Sequence, residues 1–278
     1  MHEIRKHYPA GLGTAIAKYA EPFVGGGAVL FDVLENFSLT EVYISDINRE
    51  LIHTYITIRD NVTELIAALK ELETEYLSAD ADCRKAVYYR NRNRYNALKA
   101  EQSVDSMLSA LFIFLNRTCF NGLYRVNRRG EFNVPQGSYK NPTICDELNL
   151  CAVSDKLQNV IIICGDYKKS RDFIDDRTFA YFDPPYRPLT ATANFTSYSN
   201  DSFGDEQQIE LARFIDEMSD KGAWVIASNS DPKNTDENDD FLDELYEKHK
   251  ITRIDAVRAI NSVADGRGRI RELLIEKR

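Results

Sequence analysis

The 278-residue sequence predicts an α/β protein: a doubly wound open sheet interrupted by an inserted helical segment. Three observations predict it. Apolar runs of strand length alternate with stretches of helical spacing at both ends of the chain. The first run empties into Val24-Gly25-Gly26-Gly27 and then a helical stretch, the nucleotide-binding opening of such a sheet. Residues 61–116, by contrast, are helical throughout and show no strand alternation.

Residues 2–18 predict a helix, a Pro-Gly loop and another helical turn, and 18–23 a strand ending in a turn. The glycines that follow let backbone approach a ligand closely, with the N-terminus of helix 28–35 behind them. The dinucleotide fingerprint is not matched, because Leu30 stands where its third glycine belongs, so a cofactor without pyrophosphate is expected. A second strand, 41–45, ends at Asp46-Ile47-Asn48. An acid about 20 positions after such a loop is placed for ribose hydroxyls. Asp46 could instead cap the helix 48–60, but Asn48 serves as that cap, which leaves Asp46 for the ribose.

Helices are predicted over 62–76, 83–98 and 104–115. After them, the Asn-Gly and Arg-Gly turns of residues 116–135 predict one or two β-hairpins. The net charge of −9 argues at first against a nucleic-acid partner, but residues 84–140 hold eleven Lys/Arg and three Asp/Glu. A local +8 inside an otherwise acidic chain is the footprint of one surface facing DNA or RNA. Aromatics interleave with it, as in Tyr88-Tyr89-Arg90-Asn91-Arg92-Asn93-Arg94-Tyr95. On the hairpin, Phe120, Leu123 and Tyr124 stand beside Arg117, Arg125, Arg128 and Arg129. Apolar wedges next to arginines suit a ribbon that enters a groove, unstacks a step and reads guanine through a bidentate Arg. The plain alternative is a hairpin packed on the core with solvated arginines.

The α/β rhythm resumes with helix 146–157 and strand 160–164, which ends in Gly165-Asp166-Tyr167. Strand 179–182 then runs into Asp183-Pro184-Pro185-Tyr186. Two prolines cannot continue a central strand, and they leave carbonyls without paired N–H groups. An acceptor-only carboxylate, those carbonyls and a flat ring together suit a planar group that carries an amine; an ordinary strand-to-loop turn is the alternative. Residues 188–204 form a long polar loop, expected as a lid. Helix 205–220, strand 223–228, helix 239–248, strand 251–259, a loop at 265–269 and strand 272–276 complete the reading.

Hydrophobic content of 43% and charged content of 28% are those of a soluble globular protein, and no apolar stretch has membrane-span length. Five scattered cysteines and four dispersed histidines predict reduced thiols, a cytoplasmic setting and no metal site.

Taken together these motifs resemble a known family. Glu21-Pro22-Phe23-Val24-Gly25-Gly26-Gly27 resembles the cofactor loop of the adenine-N6 DNA methyltransferases, and Asp183-Pro184-Pro185-Tyr186 their catalytic motif. Residues 116–137 resemble the recognition hairpin of the Dam-type subgroup, which methylates adenine in GATC, and 188–196 its post-catalytic loop. The resemblance implies a Rossmann-like S-adenosyl-L-methionine-dependent methyltransferase sheet that extrudes its target base from double-stranded DNA. It implies a catalytic domain in two parts, 1–58 and 145–278, around a helical target-recognition domain, 59–144. Cofactor roles carry over to Glu21, Pro22, Phe23, Gly25, Gly27 and Asp46, and to Asp166 and Tyr167 near the cofactor adenine. Catalysis falls to Asp183, Pro184, Pro185 and Tyr186. DNA contacts fall to Arg117, Phe120, Asn121, Leu123, Arg125 and Asn127, with Phe120 and Leu123 as wedges and Arg125 as reader of guanine. No metal is implied, and a separately acting restriction endonuclease is a conceivable companion.

Two departures stand against the pattern. A segment resembling Lys-Trp-Ala-Gly-Gly-Lys usually precedes the position of Glu3, where only Met1-His2 stands, and Gln136 occupies a position that is often Phe. The first departure keeps a rival open: a DNA-binding homologue with weak or lost catalysis. Methylation of another amine is a second rival, and a nicotinamide oxidoreductase a distant third.

Overall fold

The structure, a computed structural model, describes residues 1–187, 203–257 and 269–277. Its first half runs α1 (His2–Arg5), β1 (Lys18–Glu21), α2 (Ala28–Asn36), β2 (Glu41–Asp46), α3 (Arg49–Asp60), α4 (Val62–Ser78), α5 (Ala81–Ala100) and α6 (Ser106–Thr118). There follow α7 (Glu147–Leu157), β3 (Val160–Cys164), β4 (Thr178–Phe182), α8 (Asp205–Asp220), β5 (Trp224–Ser230), α9 (Phe241–Leu245), β6 (Lys250–Val257) and β7 (Arg269–Lys277).

The seven strands form one sheet in the order β3-β2-β1-β4-β5-β7-β6. β1 pairs parallel with β2 and with β4, and β4 parallel with β5, whereas β7 enters antiparallel between β5 and β6. The central strands β1 and β4 are buried at every residue. A strand covered on both faces tends to read as a continuous apolar run, and β4 does so from Phe179 to Phe182, whereas β1 is apolar only at Tyr19 and Ala20 and buries Lys18 and Glu21 at its ends. The sequence order reverses between β1 and β4, and in such sheets ligands bind beyond the carboxyl ends of strands at that switch point. One face is packed by Phe182, Leu211, Phe214, Ile215, Met218 and Leu273.

The chain divides into two compact units, one containing Met1–Ile47 and the described residues from Ile163 onward, the other Asn48–Ile162. The helical unit is wider than the expected 59–144, because α3 packs on α6 and α7 packs on α3 and α4. Its helices start where side chains cap them: Asn48 accepts from the Leu51 N–H, Asp80 from Cys83 and Asp105 from Leu108.

Three expectations change. Residues 9–16 form turns joined by a Leu12–Ile16 bridge rather than a helical turn. The helix expected over 239–248 is one short turn of five residues. Residues 119–137 carry no regular strand: a 3-10 turn at Phe120–Gly122 and two isolated bridges, Cys119–Gln136 and Val126–Phe132, replace the ladder. Left-handed backbone at Asn121, Gly122 and Gly130 bends this stretch, and Pro135 has no N–H to give a ladder. The expected lid at 188–204 falls almost wholly outside the described residues, as does most of the 265–269 loop.

Candidate functional site

At the carboxyl end of β1, Val24 donates its N–H to the Ser45 carbonyl, and Ser45 Oγ donates to the Pro22 carbonyl at 3.4 Å. The glycine loop is thereby fixed to the end of β2. Gly25 (φ 47°) and Gly27 (φ 70°) are left-handed, a conformation that costs a side-chain-bearing residue roughly 1–2 kcal/mol. Among the described residues, a Cβ placed on Gly25 or Gly26 would meet no heavy atom within 4 Å, so the loop is not packed against them. The Gly25 N–H donates to Asp46 Oδ2 at 3.1 Å, and the Asp46 carbonyl accepts from the Gly165 N–H at 2.9 Å. Asp46 therefore sits between the ends of β1 and β3 and does not cap α3, whose cap is Asn48.

Beside these groups the Phe23 and Tyr167 rings stack with centroids 5.4 Å apart. Tyr167 is buried and its hydroxyl has no hydrogen-bond partner among the described residues, while Asp166 is exposed and accepts from the Lys168 N–H. Ile47, directly after Asp46, is 71% exposed; the sequence reading overlooked it, and an apolar residue ending a buried strand was the available signal. Glu21 is enclosed, at 2% exposure, and accepts from the Tyr19 hydroxyl. Burial first, and then the charge of Asp183, push its carboxyl up to about 8, against the opposing Tyr19 hydrogen bond.

At the end of β4, Asp183 keeps one side open to solvent while protein crowds the others, and this desolvation raises its carboxyl above the ordinary range. Ser228 Oγ donates to Asp183 Oδ1 at 2.6 Å. Among the described residues nothing donates to Oδ2 or to the Pro184 carbonyl. The Pro185 carbonyl is occupied, accepting from Gln208 Nε2 at 3.2 Å, and Gln208 is held in turn by Asn229 Nδ2 at 3.0 Å. Tyr186 is partly exposed next to them. Pro184, and not both prolines, thus offers its carbonyl beside Asp183. Two adjacent acceptors and a ring can hold a planar amine. Ser228, Gln208 and Asn229 were not expected; the one sequence sign was the polar run Ser228-Asn229-Ser230 closing an apolar strand.

In the helical unit, the stretch after α6 is anchored at its base. Asn96 pairs with both backbone groups of Phe132, the Tyr88 hydroxyl donates to the Val134 carbonyl, and Gln136 Nε2 donates to the Tyr76 hydroxyl. Phe120 and Leu123 project into solvent at 46% and 37% exposure. Arg125 Nε donates to Asn133 Oδ1 at 2.8 Å, and among the described residues Arg117, Arg125, Arg128 and Arg129 make no ion pair. Arg125, Asn127, Arg128, Arg129 and Asn133 line one shallow basic hollow. Asn127 spends its side chain on the turn, accepting from the Arg129 and Glu131 N–H groups and donating to the Glu131 carboxylate. Asn121 is exposed in the 3-10 turn. Among the described residues no group of three or more His, Cys, Asp or Glu is arranged to hold a metal, and no helix is long and apolar enough to cross a membrane.

Residues 1–260 match the family described as D12 class N6 adenine-specific DNA methyltransferase. Over 278 residues the chain is 46% identical to the Type II methyltransferase M.MjaIII of Methanocaldococcus jannaschii, covering 99% of this chain and 93% of that one. It is 36% identical over 275 residues to the DNA adenine methylase of Escherichia coli K12, covering 99% and 89%. It is 34% identical over 259 residues to the Type II methyltransferase M1.LlaDCHI of Lactococcus lactis subsp. cremoris, covering 92% and 85%.

Proposed function

The chain belongs to the D12 class N6 adenine-specific DNA methyltransferase family, and from that premise we propose that it methylates the adenine of GATC after drawing that base out of the duplex. Methyl transfer to adenine N6 in DNA is the activity of the family. The observation that supports an extruded amine-bearing base is the pair of acceptors after β4: Asp183 Oδ2 and the Pro184 carbonyl, neither of them receiving a hydrogen bond from the described chain. GATC rests on the likeness of residues 116–137 to the Dam-type hairpin.

The residues at the carboxyl ends of β1 and β2 fit the family's methyl donor. The glycine loop is not packed against other described residues, Asp46 is an acceptor suited to ribose hydroxyls, and Ile47 offers an apolar contact for an adenine. Phe23, Asp166 and Tyr167 lie on the same sheet edge. Pro22 and the enclosed Glu21 support the loop from below. S-adenosyl-L-methionine, when bound, supplies an electrophilic methyl group on a sulfonium.

The protein's own part is positioning. The lone pair of adenine N6 is delocalised into the ring and makes a poor nucleophile. Donation of the two amino protons to Asp183 and to the Pro184 carbonyl favours the pyramidal nitrogen whose lone pair projects outward. Tyr186 stacks on the base, which returns about 1–3 kcal/mol toward the few kcal/mol spent on unstacking it. As the new N–C bond forms, the S–C bond to the methyl group breaks and leaves a neutral thioether, and the methylated nitrogen carries a positive charge until one of its two protons passes to water.

Phe120 and Leu123 are proposed as wedges, and Arg125, fixed through Nε, as the reader of a guanine edge through its remaining N–H groups. Arg117 meets phosphate, and Asn121 and Asn127 shape the turn that presents these groups. The 46% identity to the Type II methyltransferase M.MjaIII, against 36% to the DNA adenine methylase of Escherichia coli K12, supports a restriction-modification setting with a separate endonuclease for the same site. The test is incubation with labelled S-adenosyl-L-methionine and duplexes that differ only within GATC, followed by nucleoside mass analysis. N6-methyladenine confined to GATC duplexes is expected. Label spread over other sequences contradicts the assigned target, and label on cytosine contradicts the assigned base.

A further inference from the structure

The parallel register of β4 and β5 sets Phe182 beside Ala227, so the next residues along, Asp183 and Ser228, are neighbours at the carboxyl end of the sheet. Ser228 is buried, and its Oγ lies 2.6 Å from Asp183 Oδ1. Behind it Tyr181, two residues before Asp183 and so on the same face of β4, donates its hydroxyl to Ser228 Oγ at 3.2 Å. The donors therefore run one way, from Tyr181 to Ser228 to Asp183, and end on a carboxylate oxygen. Asn229, on the opposite face of β5, reaches Gln208 and through it the Pro185 carbonyl. The Asp-Pro-Pro-Tyr segment is thus held at Asp183 and at Pro185 by consecutive residues of one strand, directly by Ser228 and through Gln208 by Asn229.

We propose that Ser228 is a positioning residue for Asp183: its hydroxyl occupies Oδ1 and so leaves Oδ2 as the single carboxylate oxygen presented to the substrate amino group. This rests on the reading of Asp183 given above. A hydrogen bond to the ionised carboxylate also favours that form and opposes the desolvation that would protonate it. The amino group needs an acceptor, and a protonated Asp183 would offer a donor in its place. Tyr181 is suited to its end of the chain because burial raises its hydroxyl and keeps it a donor.

The experiment compares the full-length chain with Ser228→Ala, Ser228→Thr, Asp183→Asn and the Ser228→Ala/Asp183→Asn double variant. Each is assayed for kcat, KM for DNA and for S-adenosyl-L-methionine, and the pH profile of kcat. Ser228→Ala is expected to lower kcat at least tenfold with both KM values nearly unchanged, and to move the acidic limb of the profile to higher pH. Ser228→Thr, which keeps the hydroxyl, restores both. In the Asp183→Asn background, where the carboxylate is already gone, the alanine substitution is expected to cost less thermal stability than it costs alone; an equal cost in both backgrounds makes the two residues independent and overturns the proposal. An unchanged kcat and acidic limb in Ser228→Ala overturns the proposal, as does a loss that threonine does not restore. If Asp183→Asn itself turns over normally, the fault lies in the role given to Asp183; if it is inactive while Ser228→Ala is normal, the fault lies in this proposal alone.

Discussion

The Tyr19 hydroxyl donates to Glu21 Oε2 at 2.7 Å, joining two residues on one face of β1 in the interior of the sheet. The unfolded chain loses the Glu21 proton near pH 4.5, whereas the folded chain keeps it to about 8. Unfolding therefore releases a proton between those values, and stability falls as pH rises through the window. The slope approaches ~1.4 kcal/mol per pH unit for one fully shifted group. Glu21→Gln, which mimics the protonated side chain, is expected to flatten this slope and to be the more stable protein near pH 8. Denaturant melts from pH 5 to 8 check it; parallel slopes in the two proteins contradict the assignment.

Gly26 separates folding from ligand binding. Its φ is not left-handed, and a Cβ there meets nothing among the described residues. Gly26→Val should leave the melting temperature within a degree or two while weakening S-adenosyl-L-methionine binding by roughly tenfold or more, as measured by calorimetry, because the added side chain fills space that the described residues leave open. Gly25→Val should lose stability as well, by about 1–2 kcal/mol, since φ there is 47°.

The exposed pair Phe120 and Leu123 contributes little to the fold, so the double alanine variant should change stability by no more than about 0.5 kcal/mol. Its methylation of duplex DNA should fall steeply. The defect should shrink when the target adenine lies opposite an abasic site, because the cost of unpairing the base is then already reduced. Rates on the two duplexes check this, and an equal defect on both would remove the wedge from the account.

Arg125→Ala should relax discrimination at one guanine by ~1–3 kcal/mol, while uniform weakening on all sequences would make Arg125 a phosphate contact instead. The readout is competition between cognate duplexes and duplexes altered at single positions.

Much of this was legible because strands buried on both faces announce themselves, and the residues that end them are conspicuous. Asp46, Asp166 and Asp183 each follow an apolar run, and the sheet brings those three ends to one edge. What could not be read is pairing. Nothing in residues 269–277 says that they insert between β5 and β6, and nothing local to Ser228 or Gln208 says which partner lies 45 or 23 positions away. The stretch after α6 misled for a related reason. Its alternation suggested a ladder, and backbone pairing does survive at single rungs, from the Asn127 N–H to the Glu131 carbonyl and from the Asn133 N–H to the Arg125 carbonyl. Side chains add the rest, with Asn133 meeting Arg125, Asn127 closing its own turn and Asn96 pairing with the outer edge of Phe132.

The proposed methyl transfer depends on one side chain gripping one amino group. Its most direct test is Asp183→Ala, assayed with labelled methyl donor on GATC duplex DNA and, in parallel, for DNA binding. The expected result is no measurable methyl transfer with DNA affinity retained within a few-fold; transfer at the normal rate would contradict the account.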